Sequence, residues 1–358
     1  MTLLDRLNSR IESDGPIPFE SFMEACLYDS EHGFFATGPL RSVKSGDFLT
    51  SPEVSPWFGR VLARFAHAEW QRVGGGVFDV VDVGAGSGSL LAALLPDLGV
   101  EGTTAWAVDA SPAARAALEA EGGIAAEAWT VSSYLADIPD GRRGVIIANE
   151  LLDNIPVALA VKTDAGWQER YVSTVEGGLD LVAFPARPAV AGWCDEFAGT
   201  VPVHGMVEVQ LAAGEWLESA LSKLDAGAVV VIDYGGTAEE LEPRRTRGTL
   251  RTYRAHHLGP DPLTAPGETD VTVDVNFTAL LGIAGSAGAA VELFRQDDFL
   301  SSWGVREEIG RLRRRELDLA RSGNAMERLE VRSRRIDAET IVHPRGLGDF
   351  RVLVARVS

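Results

Sequence analysis

The sequence predicts an α/β fold built on a mostly parallel sheet, and three observations carry that expectation. Val80-Val81-Asp82-Val83 reads as a buried strand, meets glycines at alternate positions (Gly84, Gly86, Gly88) and runs directly into an apolar helical segment, residues 90–95. Further apolar runs at 104–108, 145–148 and 228–232 are separated by helical segments. Strands that alternate with helices are joined by crossovers and therefore lie parallel. Two more strands, 291–294 and 350–357, close the chain.

The glycine corner carries a chemical reading. Glycine accepts positive φ and leaves backbone open to a ligand that a Cβ would keep away. The next helix presents free N–H groups at its N-terminus. A strand, a glycine turn and a helix together make a nucleotide-binding corner. The spacing here is G-x-G-x-G. The dinucleotide fingerprint is G-x-G-x-x-G, whose last glycine packs helix on sheet. Ser89 and Leu90 stand in that region, which argues against a pyrophosphate grip. A plain strand–turn–helix corner remains the alternative. The following strand ends in Asp109, 25 residues after Gly84. An acid at about that distance accepts ribose hydroxyls in nucleotide-binding βαβ units. Asp109 is also placed to cap the helix that opens at Ser111-Pro112, and the two roles are compatible.

The totals bound the rest. The 358 residues suffice for one large domain with insertions or for two domains. No apolar run reaches the ~18 residues of a spanning helix, so no membrane insertion is expected. The first ten residues lack the apolar core of a signal peptide, and Asp5 argues against a transit peptide. Cys26 and Cys194 give neither a disulfide framework nor zinc spacing. The close pair His256-His257 has no metal spacing around it. A reducing cytoplasm is therefore expected. The net charge of −19 repels phosphate backbones, which disfavours nucleic acid as a partner; it suits a basic substrate or simple solubility.

In order, helical spacing covers 3–12 and 19–28. A glycine-bearing loop at 29–38 and a polar segment at 46–55 follow. Residues 57–72 are amphipathic, with Phe58, Val61, Leu62, Phe65, Ala66 and Trp70 facing inward, until Gly74-Gly75-Gly76 ends them. Past Asp109 a helix is expected over 112–121 and a short strand over 128–131. Residues 157–185 alternate as strands around turns at 164–166 and 177–178, which predicts a hairpin insertion. A strand at 207–210 and a helix at 211–224, ended by Gly227, precede the strand 228–232. Residues 247–277 are polar and loop-rich. Helices are expected at 277–289, 299–321 and 325–340.

Ligands of an open α/β sheet bind beyond the carboxyl ends of its strands. The polar residues there are Asp82, Asp109, Asn149, Glu150 and Asp233. Glu150 and Asp153 set two carboxylates near one point. Such a pair suits a guanidinium, with its rigid fork of donors. The alternative is that both cap the helix after the strand.

The form V-D-V-G-x-G-x-G resembles the first motif of class I S-adenosylmethionine methyltransferases. Longer pieces resemble one family in order: Gly46-Asp47-Phe48-x-Thr50-Ser51-Pro52-Glu53, the glycine corner, Asn149-Glu150-Leu151-Leu152-Asp153-Asn154-x-Pro156-Val157 and Asp233-Tyr234-Gly235. Arg247-Gly248-Thr249-Leu250-Arg251-x-Tyr253-Arg254-x-His256 and Pro266-Gly267-x-x-Asp270-Val271-Thr272-x-Asp274-Val275-Asn276-Phe277 complete the set. These pieces look like the MidA family of S-adenosylmethionine-dependent methyltransferases, and the likeness covers residues 16–354. The mitochondrial branch of that family methylates protein arginine during assembly of respiratory complex I.

The resemblance implies a Rossmann-like class I methyltransferase sheet with a helical N-terminal segment and inserted substrate-side elements. Residues 1–76 would cover the cofactor site. The core would comprise 77–157, 205–236 and 288–358, closed by an antiparallel edge pair. A β-hairpin insertion would occupy 158–204, and a loop-rich substrate-side insertion 237–287. S-adenosyl-L-methionine would lie on Gly84, Ala85, Gly86 and Gly88, with Asp82 near its charged amino end and Asp109 at its ribose. The segment 47–53 would fold over it, and Thr50, Ser51 and Glu53 would line its pocket. Asn149, Glu150 and Asp153 would stand at the reactive methyl as the catalytic group. Tyr253, Arg254 and His256 would face the substrate, and no metal is implied. The family usually carries Glu where Asp82 stands and Asp where Asn276 stands.

The expected partner is a protein substrate methylated on arginine nitrogen, with a respiratory-chain subunit among the candidates; a homodimer is left open. Two other readings stay open. One is a cofactor-binding assembly factor with little turnover. The other is a nicotinamide-dependent oxidoreductase, against which the absent third glycine argues.

Overall fold

The computed structural model describes residues 1–37, 40, 50–124, 128–176, 178–254, 257–322 and 324–358. Its central sheet has seven strands among these: β1 (Asp79–Val83), β2 (Thr104–Val108), β3 (Thr130–Ser132), β4 (Arg142–Asn149), β5 (Leu224–Asp233), β6 (Ala290–Arg295) and β7 (Arg351–Val357). The spatial order is β3-β2-β1-β4-β5-β7-β6. Strands β1 to β5 run parallel, and β7 lies antiparallel between β5 and β6. The order reverses between β1 and β4. That switch point is where ligands of open α/β sheets bind.

The alternation of β4 and β5 explains why both faces of the sheet are dry. Val145 and Ile147 of β4, with Ala228, Val230 and Ile232 of β5, enter one core cluster; Ile146, Ala148, Val229 and Val231 enter the other. The first cluster is covered by the helices Pro56–Arg72 and Ser89–Leu98, the second by Leu211–Ser222 and Phe277–Ser286. Each large aliphatic side chain so buried contributes about 1.5–3 kcal/mol.

Ser55 accepts from the Trp57 N–H at 3.3 Å and caps the helix Pro56–Arg72, as a Ser before Pro should. Gly227 departs from the sequence reading. The helix stops at Ser222, and Gly227 lies inside β5 with φ of +141°. A Cβ there would lie 1.8 Å from the Gly144 carbonyl oxygen. Glycine therefore allows close approach of β5 to β4 beside the irregularity at Leu224/Ala226, rather than ending a helix. The stretch expected as one helix over 299–321 is two, Gln296–Ser302 and Val305–Ser322. Gly304, at φ +93°, parts them.

Residues 158–204 form the strands Ala158–Thr163, Gly166–Val175 and Gly178–Pro185, then the helix Pro188–Phe197. The strands belong to a second sheet that also takes in Met206–Val209 and Ile17–Pro18. The helices Leu3–Asp14 and Phe19–Tyr28 bury Leu7, Phe22, Met23 and Leu27 against this sheet and against Val271 and Val273. The strands Arg251–Arg254 and Asp270–Thr272 pair antiparallel in the loop-rich stretch. They stand over the carboxyl end of the central sheet through the hydrogen bond from the Val273 N–H to the Asp153 carbonyl.

Candidate active site

Two clefts open at the carboxyl end of the sheet, and Glu150 and Asn154 line both. The first, about 330 Å3, follows the glycine corner. Gly84, Gly86 and Gly88 all have positive φ (76°, 55° and 81°), which the sharp turn from β1 into the helix Ser89–Leu98 requires. The turn is pinned to β2, because Gly84 and Ala85 both donate to the Val108 carbonyl, at 2.8 and 3.1 Å. Gly84, Ala85 and Gly86 line the cleft. Gly88 serves packing: a Cβ there would come within 2.9 Å of Leu118 and 3.3 Å of Trp129.

The helix that opens at Pro112 is capped by Ser111, whose Oγ accepts from the Ala114 N–H at 3.4 Å, and Asp109 holds that cap in place instead of serving as it. The Asp109 Oδ1 accepts from the Ser111 N–H at 2.8 Å, and its Oδ2 from the Gly86 N–H at 2.9 Å. Burial raises its pKa against those hydrogen bonds. The carboxylate still lines the cleft and retains lone pairs for a ligand hydroxyl. Asp82, at the end of β1, is 2 % exposed, and its Oδ2 has no hydrogen-bond partner among the described residues. Burial, with Asp109 nearby, pushes its carboxyl up to about 8. A buried acid with an orphan oxygen beside an open cleft is a receptor for a cationic or N–H group.

The expected lid is seen only in part. Thr50, Pro52 and Glu53 line the cleft, and the Glu53 carboxylate accepts from the Ser87 hydroxyl on the glycine turn. Ser51 is fully buried behind them, its N–H donating to Glu150 Oε1 at 3.1 Å and its Oγ accepting from Gln296 at 3.2 Å. Gly46, Asp47 and Phe48 lie outside the described residues.

Where β4 ends, Glu150 adopts φ of +53°, one of three non-glycine residues with positive φ among those described. Such a conformation costs on the order of 1–3 kcal/mol and persists because the surroundings fix it. Its N–H donates to the Ile232 carbonyl at 2.8 Å. Its Oε1 accepts from Ser51 and, at 3.3 Å, from the Asn149 amide. Burial, then Asp153, lifts the Glu150 carboxyl to about 8. The Asn149 Oδ1 has no partner among the described residues.

Asp153 opens onto the second cleft, about 710 Å3, rather than the first. Its Oδ2 accepts from the Tyr234 hydroxyl and, at 2.7 Å, from Thr272, while its Oδ1 is buried without a partner among the described residues. Burial raises this carboxyl too, opposed by those two hydrogen bonds. Asp233 fixes the turn beneath: its Oδ2 accepts from the Leu152 and Asp153 N–H groups at 3.0 and 3.2 Å. Sequence reasoning named Asp233 as a strand-end acid but gave no role to it, to Tyr234 or to Thr272. All three stand in the conspicuous pieces Asp233-Tyr234-Gly235 and Asp270-Val271-Thr272, which was the available signal. Of the substrate-side group, Tyr253 lines the second cleft. Arg254 points elsewhere, paired with Glu268 at 3.1 Å in solvent. His256 lies outside the described residues.

A family model, Methyltransf_28, for S-adenosyl-L-methionine-dependent methyltransferases, matches residues 61–295. The chain belongs to this family. It is therefore a methyltransferase whose cofactor is S-adenosyl-L-methionine, and the MidA-like resemblance stands. A COG1565 superfamily member from Burkholderia thailandensis, bound to S-adenosyl-homocysteine, superposes with a TM-score of 0.84 at 29 % identity, over 99 % of this chain and 91 % of that one. The native crystal structure from the same organism gives 0.83 at 28 %, with the same coverage. The protein arginine methyltransferase NDUFAF7, mitochondrial, of Xenopus tropicalis is 29 % identical over 85 % of this chain and 75 % of its own; the human protein is 28 % identical, over 85 % and 73 %.

The residues present fit this cofactor. The apolar-floored first cleft ends at Asp82, whose orphan oxygen suits an ammonium group, and at Asp109, which suits hydroxyls. The fold expectation, a class I Rossmann-like sheet, also stands. The cytoplasmic expectation does not: the curated relatives are named mitochondrial proteins. The two free cysteines are buried, and thiols of that kind suit reducing surroundings without specifying a compartment.

Proposed function

We propose that this methyltransferase acts on arginine nitrogen of a protein, with Glu150 and Asp153 receiving the guanidinium. The observation that carries the reading is the position of Glu150 on the wall common to both clefts, with the unpartnered Asp153 Oδ1 beside the second. Burial raises the pKa of Glu150, Asp153 and Asp233, and repulsion within the group adds to it at Glu150 and Asp233. A cluster of that kind is relieved by a cation, and a guanidinium offers donors to two carboxyls at once. The relatives named protein arginine methyltransferases support the same target.

Bound S-adenosylmethionine supplies an electrophilic methyl group on a sulfonium. The chain's own residues do the rest. Glu150 and Asp153 hold two edges of the guanidinium so that the remaining nitrogen is aimed into the shared wall. Asn149, beside Glu150, offers its free Oδ1 to an N–H. When the N–C bond forms and the S–C bond breaks, the nitrogen sheds a proton, and an ionised Glu150 is the adjacent acceptor. Positioning and exclusion of water account for most of such a rate. Asp82, Gly84, Ala85, Gly86 and Asp109 would hold the cofactor, with Thr50 and Glu53 on its open side and the buried Ser51 behind them. Gly88 sets the helix behind it, and Tyr253 faces the incoming chain. A respiratory-chain subunit remains a candidate substrate.

Calorimetry with an arginine-containing peptide tests the proposal. Binding in the presence of S-adenosyl-homocysteine is expected, with loss of that binding in Glu150→Ala and unchanged affinity for S-adenosyl-homocysteine itself. Equal peptide affinity in the variant would remove Glu150 from the guanidinium site.

A further inference from the structure

We infer that the second cleft selects an arginine with an acidic residue close by in the substrate chain, read by Arg345 and Arg244. The inference rests on the arginine reading above. In this cleft the buried acids lie deep and the cations lie towards the mouth, where Asp349 is an exposed acid already engaged by arginines outside the lining. The carboxyls of Glu150 and Asp153 lie at its inner end, Asp153 only 4 % exposed. The cations lie at its mouth: the Arg244 side chain is 51 % exposed, and Arg345 is exposed.

The cations at the mouth are only partly neutralised. Arg244 and Arg251 both turn to one carboxylate, Asp274, with Arg251 at 2.7 Å. Two guanidinia on one acid leave an excess positive charge. Arg345 has no carboxylate within ion-pair distance among the described residues. The neighbouring Asp349 is engaged by Arg295 at 2.5 Å and by Arg351 at 3.5 Å. A ligand that satisfies the whole cleft therefore carries a cation for its floor and an anion for its rim. A peptide segment that carries arginine and, within a residue or two, aspartate or glutamate has that polarity. Uniformly basic segments meet repulsion at the mouth. The cations also keep a protein of net charge −19 from drawing in every basic peptide.

Three synthetic peptides identical except at the positions flanking a central arginine (glutamate, glutamine or lysine) test this, with methyl transfer read by mass spectrometry. The glutamate peptide is expected to give the highest kcat/KM, through KM, by about fivefold over glutamine, the scale of a rim charge pair. Raising the salt should narrow the gap. Arg345→Glu is expected to shift the preference towards the lysine peptide while affinity for S-adenosyl-homocysteine and the melting temperature stay unchanged. Arg345→Ala should fall between. Arginine methylation at equal rates in all three peptides, or a preference for lysine in the unmodified enzyme, overturns the inference and leaves the arginine reading standing. Transfer to none of the three arginines overturns the arginine reading, and this one with it.

Discussion

Replacing Glu150 by Gln removes an ionisable group while keeping its volume and its acceptor for the Ser51 N–H. The native carboxyl titrates at about 8, against 4.5 for the free group, because burial and then Asp153 disfavour its charged form. The folded protein therefore holds a proton between those values that the unfolded chain has released. Stability contributed by the neutral acid is complete below about pH 4.5 and is lost as pH rises towards 8. Integrated from pH 5 to pH 8, the loss through Glu150 is about 3 kcal/mol at 1.36 kcal/mol per pH unit. Asp82 adds a similar slope, but it is present in both proteins and cancels. Over 358 residues, with about 2 cal/mol/K of unfolding entropy each, 3 kcal/mol is about 4 °C in Tm. Calorimetric or dye-monitored melting of the cofactor-free proteins at several pH values reads it directly. Glu150→Gln should gain about 4 °C on the unmodified protein between pH 5 and pH 8. A gap that stays constant with pH would refute the assignment of Glu150 as a buried acid that is neutral until a cation arrives.

Gly86→Val should abolish binding of S-adenosyl-homocysteine in calorimetry, since the side chain enters the cleft that Gly86 lines and φ of +55° adds about 1–2 kcal/mol of backbone strain; retained affinity would take Gly86 out of the site. Asn276→Asp should lower stability by about 1–3 kcal/mol in urea titration. Its Oδ1 can still cap the helix Phe277–Ser286, but the amide that donates to the Phe197 carbonyl at 2.8 Å is gone, and a carboxylate oxygen would face that carbonyl. An unchanged midpoint would show that the Phe197 contact carries no weight. Tyr234→Phe should slow methyl transfer with little change in cofactor affinity, because Asp153 loses its hydroxyl donor and is left to titrate higher; unchanged kcat would leave Tyr234 a packing residue.

The parallel sheet was legible because its signals are local. Each strand is an apolar run with its turn residues attached, and the glycine corner has one conformation that suits its spacing. What escaped the sequence depends on contacts far apart in the chain. Gly227 looks like a helix stop until β4 is laid against it. The alternation over 157–185 identifies strands but not that their partners are Ile17–Pro18 and Met206–Val209. At the site, Glu150 and Asp153 are neighbours in sequence and were readable as a pair. That Glu150 lines both clefts and Asp153 only the second follows from the turn at φ +53° and from Asp233, 80 residues away from Asp153. Asp109 proved a cleft wall that braces the helix cap, while Ser111 is the cap itself. Asn276, a departure from its family's usual acid, is explained by a partner, Phe197, that lies 79 residues away.

Transfer from S-adenosylmethionine carrying a trideuterated methyl group, followed by peptide mass spectrometry of the modified proteins, tests the central claim most directly. Heavy methyl on arginine side chains is the expected result, lost when Glu150 is replaced by Ala. Heavy methyl on lysine, on a carboxylate or on a small molecule, with the variant as active as the original, would contradict it.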